Sequence, residues 1–160
     1  MIQLFATEFY GNENVGVGRL KAFMEKNNED VVLSYLDTTK SFETSKSHVK
    51  PNCELYGFSM YSNNLDYFIS LIDEIKSLRP DSLIVVGSKY ATGYYRELLQ
   101  TFKNIDYVIL GDGETALLEL TRLIKKGGDL KSFVSGHKNI ASRYSIDDKK
   151  AAVLDINRLP

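Results

Sequence analysis

Two glycines flank an acidic residue in Gly111-Asp112-Gly113-Glu114, which joins an apolar run to an amphipathic leucine-rich run. The two carboxylates are candidates for acid–base chemistry. More often, acidic residues at such a junction lie at a helix start, where the helix dipole favours them. The glycines leave a bare backbone that a ligand can approach closely. The segment therefore predicts a helix start, and its loop is a candidate for ligand contact.

Other residues suited to binding follow the remaining apolar runs. Their side chains supply hydroxyl groups or flat apolar surfaces: Ser59, Ser62, Ser88, Thr92, Phe9, Tyr61 and Tyr90. A planar ligand that carries amide groups needs this combination of hydroxyls, bare backbone and aromatic walls. The same small residues also suit tight strand–helix turns that bind nothing, and both interpretations stay open.

The sequence contains no constellation for nucleophilic or metal catalysis. Cys53 is the single cysteine, so an internal disulfide is excluded, and alone it cannot build a zinc or iron–sulfur site. His48 lies in a polar connection and His137 beyond the last predicted long helix. No spacing pairs either histidine with Cys53 or a serine. Binding is therefore favoured over catalysis by this chain alone.

Composition points to one ordinary domain. A chain of 160 residues can bury a full hydrophobic core. Lysine plus arginine (20) nearly balance aspartate plus glutamate (21), which predicts neither a nucleic-acid nor a membrane partner. No apolar run approaches the ~20 residues of a membrane span, and the first ten residues lack the features of a signal peptide. A cytoplasmic protein is predicted.

Apolar runs of strand length alternate with helical patterns. The runs cover residues 2–6, 31–36, 56–62, 82–87 and 107–111, and nearly continuous apolar runs are typical of parallel strands covered on both faces. Helices are predicted at four places: near 15–26, from Leu65 to Leu78 with Asn63 or Asn64 as cap, near 94–101, and from Gly113 to a left-handed end at Gly127–Gly128.

This order predicts an α/β fold, a Rossmann-like (flavodoxin-like) three-layer sandwich with a five-stranded parallel sheet. Residues 37–52 are polar and predict a loop with at most a short helical turn. After residue 128 the alternation stops, and a short C-terminal hairpin and linker are predicted. Residues 1–130 are thus expected to form the α/β domain, and residues 131–160 the hairpin and linker.

In such folds ligands bind at the carboxyl ends of the strands, and the loops there exclude several cofactor motifs. After the first strand, Gly16-x-Gly18 is followed by Lys21 where a dinucleotide fingerprint requires a third glycine, and the P-loop ending is absent. The segment TEFYGN is faintly similar to a flavodoxin phosphate loop but lacks most of its hydroxyls. The third strand ends without the aspartate of a phosphoacceptor receiver domain.

From about residue 55 onward the chain resembles the amino-terminal cobalamin-binding domain of radical S-adenosylmethionine enzymes. The resemblance rests on segments that occur in the family's order: Gly57-Phe58-Ser59, Pro80-Asp81, Gly87, Asp106-Tyr107-Val108, Gly111-Asp112-Gly113-Glu114 and a leucine-rich helix. The terminal LDINRLP is similar to the linker that precedes the family's radical barrel.

The resemblance implies that cobalamin binds to the strand-end loops. The implied cofactor-binding residues are Thr7, Tyr10, Gly11, Ser59, Tyr61, Ser62, Gly87, Ser88, Gly111, Asp112, Gly113 and Glu114. It further implies that the fifth-strand loop passes close to the corrin, with Asp112 and Glu114 ordering that loop and capping the helix. The implied partners are cobalamin and a C-terminal radical S-adenosylmethionine domain of the same protein.

Three departures from the family pattern qualify these implications. TEFYGNENVG lacks the histidine that ligates cobalt in mutase-type domains, so cobalamin would bind without a protein imidazole. Ser88 stands where the family often has a second glycine, and would crowd a close approach. The cysteine-x-x-x-cysteine-x-x-cysteine motif is absent, so the 4Fe-4S cluster and S-adenosylmethionine would belong to a missing domain of a longer protein.

The favoured hypothesis is a cobalamin-binding accessory domain of a radical S-adenosylmethionine enzyme, of methyltransferase or of peptide- or natural-product-modifying type. It would position the corrin for methyl transfer and would not be catalytic alone. The alternative is a degenerate family member that binds no cofactor and serves as a docking or substrate-recognition module. A third hypothesis, a flavodoxin-type electron carrier, rests on the fold and TEFYGN alone.

Overall fold

The computed structural model describes residues 1–7, 15–147 and 149, apart from the side chain of Thr44. Within these residues the strands are β1 (Ile2–Thr7), β2 (Val31–Leu36), β3 (Leu55–Ser59), β4 (Leu83–Gly87), β5 (Tyr107–Ile109) and β6 (Ile140–Ala141). The helices are α1 (Val15–Lys26), α2 (Phe42–Lys46), α3 (Leu65–Leu78), α4 (Lys89–Gly93), α5 (Tyr95–Thr101), α6 (Glu114–Lys125) and α7 (Leu130–Gly136).

The strands form one sheet in the order β2-β1-β3-β4-β5-β6. β1 to β5 are parallel, and β6 pairs antiparallel with β5. The order 2-1-3-4-5 is the flavodoxin-like order, so the predicted fold class is confirmed. The predicted strand number is wrong, because the sheet has six strands. A two-residue strand is too short for sequence periodicity to reveal.

Side chains that alternate along each strand build a separate core on each face of the sheet. Phe5, Phe58 and Val86 face α3, α4 and α5, whereas Leu4 and Val85 face α1, α6 and α7. α3 buries Phe68, Leu71, Ile72 and Ile75, and burial of each such side chain stabilises the fold by about 2 kcal/mol. The hydrophobic periodicity of the strands and helices therefore produces the three layers, which are one sheet and the helices on its two faces.

The chain after α6 differs most from the prediction. The helix is followed by a left-handed Gly127 (φ 62°), as expected, and then by α7, a helix that the sequence pattern did not predict. Residues Ile140–Ala141 pair with β5. The second arm of the predicted hairpin lies outside the described residues. Residues 37–52 contain the short helix α2, in line with the expected helical turn.

Candidate functional site

A cleft of about 260 Å³ opens where β1, β3, β4 and β5 end and continues between α1 and α6. In a 2-1-3-4-5 sheet the crossovers change direction between β1 and β3, and the loops there diverge and leave a crevice. The lining residues are Leu4, Phe5, Gly16, Val17, Arg19, Leu20, Gly57, Phe58, Ser59, Tyr61, Val85, Gly87, Ser88, Lys89, Ile109, Gly111, Asp112, Gly113, Glu114 and Leu117.

Small residues form the floor of this cleft. Gly57, Ser59 and Gly87 alternate onto the face of the sheet that α1 and α6 cover, and Ser59 lies beside Gly87 in the register. A Cβ atom at Gly57 would meet Leu4 Cδ2 at 2.7 Å, whereas one at Gly87 would meet nothing closer than Ile109 Cβ at 3.9 Å. Gly87 therefore leaves open space that a larger side chain would occupy.

Asn64 holds the carboxyl ends of β1 and β3 together. It occupies the predicted cap position of α3, but its side chain makes no capping bond there. Its Oδ1 accepts from the Tyr61 N–H at 2.7 Å. Its Nδ2 donates to Thr7 Oγ1 at 3.1 Å and to the Ser59 carbonyl at 3.2 Å. Because Asn64 is 1% exposed, these bonds are protected from water and keep the cleft edge in place.

Ser88 is the N-cap residue that precedes α4. Its φ of 142° and ψ of 176° are a conformation that glycine adopts and other residues adopt only with strain. Its Oγ accepts from the Ala91 N–H at 3.0 Å and donates to the Met60 carbonyl. A hydroxyl has one proton, so this proton is engaged within the fold. Ser88 therefore narrows the cleft and links β3 to α4, and its hydroxyl proton is not free for a ligand.

The loop after β5 is held from two sides. Thr92 Oγ1 accepts from the Gly111 N–H at 2.9 Å, and Asn139 Nδ2 donates to the Leu110 carbonyl at 3.0 Å. Gly111 has φ 73°, a conformation that glycine adopts at little cost and that other residues rarely adopt. Thr92 thus supports the site through its hydroxyl and does not line the cleft.

The acidic residues of that loop have roles that differ from the prediction. The cap position of α6 is held by Gly113, which has no side chain. Glu114 is the first residue of the helix, and its carboxylate pairs with Arg19 Nη2 of α1 at 3.4 Å. Asp112 is exposed at the rim. The implied capping by Asp112 and Glu114 is thus replaced by an ion pair across the cleft mouth.

Eight of the twelve implied cofactor-binding residues line the cleft: Ser59, Tyr61, Gly87, Ser88, Gly111, Asp112, Gly113 and Glu114. Thr7 is buried and bonds Asn64 instead. Ser62 is exposed and does not line the cleft. Tyr10 and Gly11 lie outside the described residues, as does Phe9.

Sequence reasoning missed the contribution of α1, which forms one wall of the cleft. Val17 and Leu20 face the part of the cleft that lies between α1 and α6, here called the slot, and Arg19 lies at its rim. The spacing of Val17 and Leu20 matches a helix face, so the wall was predictable as a helix but not as part of a site. Gly57 belongs to the motif Gly57-Phe58-Ser59, whereas its place in the floor of the cleft depends on strand alternation.

Metal-binding and membrane-spanning features are absent from the part of the chain that the structure describes. It contains no group of three or more histidine, cysteine or acidic side chains that could hold a metal ion. None of its helices is both long and apolar enough to cross a membrane.

Cys53 is buried, and its burial raises the pKa of the thiol. His137 bonds Glu119 through Nε2 at 3.0 Å, away from the cleft lining.

Comparisons with known proteins identify a matching family. The family model described as "B12 binding domain" matches residues 6–121, a span that includes every lining residue from Gly16 to Leu117. A search of curated proteins found no match.

A similar solved structure is a crystal form of the Salmonella typhimurium RcsB response regulator, whose title concerns conformational dynamism for DNA interaction. The TM-score is 0.55 at 19% identity, over 82% of this chain and 62% of that one. This likeness supports the fold alone. The present chain ends β3 with Ser59, where a receiver domain would require an aspartate.

Proposed function

Because the chain belongs to the B12-binding domain family, we propose that the cleft binds cobalamin and that the domain positions the corrin for a partner domain. The observation that carries the proposal is the floor of small residues at the carboxyl ends of β3 and β4. A side chain at Gly87 would fill the space that a flat macrocycle or its nucleotide tail needs. The family's matched span covers this floor.

The residues present fit the chemical character of cobalamin. The slot between α1 and α6 is walled by Val17, Leu20 and Leu117, which suits the apolar benzimidazole base of the nucleotide tail. The rim at Ser59 and at the Gly111–Gly113 backbone offers polar groups for the amide side chains of the corrin. The β1–α1 segment contains no histidine, so we propose that cobalt receives no imidazole from it.

The parent protein is proposed to be a radical S-adenosylmethionine enzyme, of methyltransferase or of peptide- or natural-product-modifying type. Residues 1–130 would contain the cobalamin-binding cleft, and residues 131–160 would complete the sheet with β6 and lead to the partner domain. Support comes from the resemblance of LDINRLP to the family's linker. The 4Fe-4S cluster and S-adenosylmethionine would bind to that partner. Bound cobalamin would supply methyl-group transfer, while this chain binds and orients the corrin.

A second candidate function is a docking or substrate-recognition module that binds no cofactor. Ser88 favours it, because a side chain occupies the cleft edge where the family often has glycine, and does so in a strained conformation. A cytoplasmic location is expected for either function.

The test is a reconstitution with hydroxocobalamin. The purified chain is mixed with the cofactor, separated from free ligand by gel filtration, and its visible spectrum is recorded. We expect a one-to-one corrin spectrum that survives the column. A base-off spectrum would further support a nucleotide tail that leaves cobalt for the slot. Colourless protein would contradict cobalamin binding by this chain and favour the docking module.

Gly87→Leu is the variant that tests the place of binding, with Gly93→Leu as its matched control. A leucine at Gly87 has room at Cβ and then projects into the cleft, so it should abolish retention while the far-UV circular dichroism stays unchanged. Gly93 lies in α4 with open space around it and outside the cleft lining. Equal cobalamin retention by both variants would show that the ligand binds elsewhere.

A further inference from the structure

Arg19 lies at the mouth of the slot between α1 and α6. It follows Val17 and precedes Leu20 on α1, and all three residues line the cleft. Its guanidinium reaches Glu114 on the opposite wall at 3.4 Å. Any group that enters the slot from the rim therefore passes this side chain.

The ion pair between Arg19 and Glu114 is weak enough for Arg19 to leave Glu114 for another acceptor. The Arg19 side chain is 76% exposed, so its ion pair is screened by water. Glu114 lies in the first turn of α6, where the helix dipole stabilises its carboxylate without Arg19. The guanidinium can thus move to a stronger acceptor without leaving an uncompensated buried charge.

The slot determines which part of a corrinoid Arg19 would meet. Its apolar walls suit the benzimidazole base, and the base is joined to the corrin through a ribose and a phosphodiester. With the base in the slot, the connecting phosphodiester must lie at the mouth. Lys89, the other cationic lining residue, begins α4, whose buried Ala91 belongs to the opposite core. Only Arg19 therefore flanks the slot itself among the described cationic lining residues.

We propose that Arg19 is a specificity-determining residue that exchanges Glu114 for the phosphodiester of the nucleotide tail. The proposal rests on the proposed cobalamin function. Guanidinium forms paired hydrogen bonds with phosphate oxygens, so the contact selects complete cobalamin over a corrinoid that lacks the tail.

The experiment compares two ligands and four proteins. The ligands are hydroxocobalamin and aquohydroxocobinamide, which has the same corrin without base or phosphodiester. The proteins are the wild type, Arg19→Gln, Arg19→Lys and Lys26→Gln. Lys26 is exposed at the far end of the same helix, so its variant makes the same charge change away from the cleft. Dissociation constants come from absorbance titrations at low and moderate salt.

Arg19→Gln is expected to weaken cobalamin binding by about tenfold, in line with one charge-assisted contact, and to leave cobinamide binding unchanged. Arg19→Lys should recover part of the loss, and Lys26→Gln should match the wild type for both ligands. Equal weakening of both ligands by Arg19→Gln, or no weakening of cobalamin, would overturn the assignment. A wild type that binds neither ligand would instead refute the proposed function, and the assignment with it.

Discussion

At the scale of single residues, Ser88 shows how a side chain can be both strained and useful. Its φ of 142° lies in a region that favours glycine and costs about 1–3 kcal/mol for other residues. Its two hydrogen bonds, from the Ala91 N–H and to the Met60 carbonyl, are worth about 1 kcal/mol each. The strain and the bonds are of similar size, so serine is tolerated where the resemblance implies glycine.

Ser88 variants separate these two effects. Ser88→Gly removes the strain together with the bonds and should change the free energy of unfolding by less than about 1 kcal/mol. Ser88→Ala keeps the strain and loses both bonds, and should destabilise the fold by about 2 kcal/mol. Urea denaturation of both variants measures the difference. An alanine variant as stable as the glycine variant would contradict the strain at this position.

At the scale of elements, the segment after α7 closes the domain edge that carries the site. β6 pairs with β5, and Asn139 just before it holds the Leu110 carbonyl beside the cleft loop. Arg143 donates to the carbonyls of Leu99, Phe102, Lys103 and Ile105 at the end of α5. Lys149 Nζ donates to carbonyls at the end of α7, among them that of His137 at 2.6 Å. Asn139 therefore supports the cleft loop directly, whereas Arg143 and Lys149 fasten the segment to the rest of the domain.

Fragment boundaries test this role. A fragment 1–130 loses the burial of Val134, Ile140 and Ile146, which is worth about 5 kcal/mol or more together. That loss is comparable to the whole stability of an ordinary domain. We expect fragment 1–130 to be unfolded or aggregated, whereas fragment 1–150 should unfold cooperatively in urea. A cooperatively folded fragment 1–130 would show that the α/β unit is independent of β6.

At the scale of the whole molecule, burial of two weak acids makes stability depend on alkaline pH. Removal from water raises the pKa of the Cys53 thiol. It also raises the pKa of the Tyr107 phenol, with a further contribution from a hydrogen bond with Tyr144. In the unfolded chain these groups lose their protons at about pH 8.5 and 10, whereas the folded chain still holds them. Because the native state then binds more protons, stability falls as the pH rises.

The urea midpoint should therefore decrease from about pH 8 to about pH 11. The double variant Cys53→Ala/Tyr107→Phe should show a shallower decrease, because it lacks the thiol and the phenol that lose protons on unfolding. Equilibrium unfolding at a series of pH values measures both slopes. Identical slopes for the wild type and the double variant would assign the effect to other groups.

The sequence by itself determined the alternation of strands and helices, the parallel sheet and the end of the sheet at which we propose that a ligand binds. Hydrophobic period and glycine positions are local properties, and they survive in any compact arrangement of these elements. The same patterns identified Gly87, Gly111 and Gly113 as places where a ligand can approach the backbone closely. The family resemblance then implied that this ligand is cobalamin.

Tertiary structure alone decided which of these residues meet. The wall that α1 contributes, the Arg19–Glu114 pair and the bonds of Asn64 join residues that are far apart in sequence. The short strand β6 is defined by its pairing with the edge of β5. Such contacts depend on how the elements pack, which no periodicity within one element encodes. The cleft is therefore a product of strand order and side-chain alternation acting together.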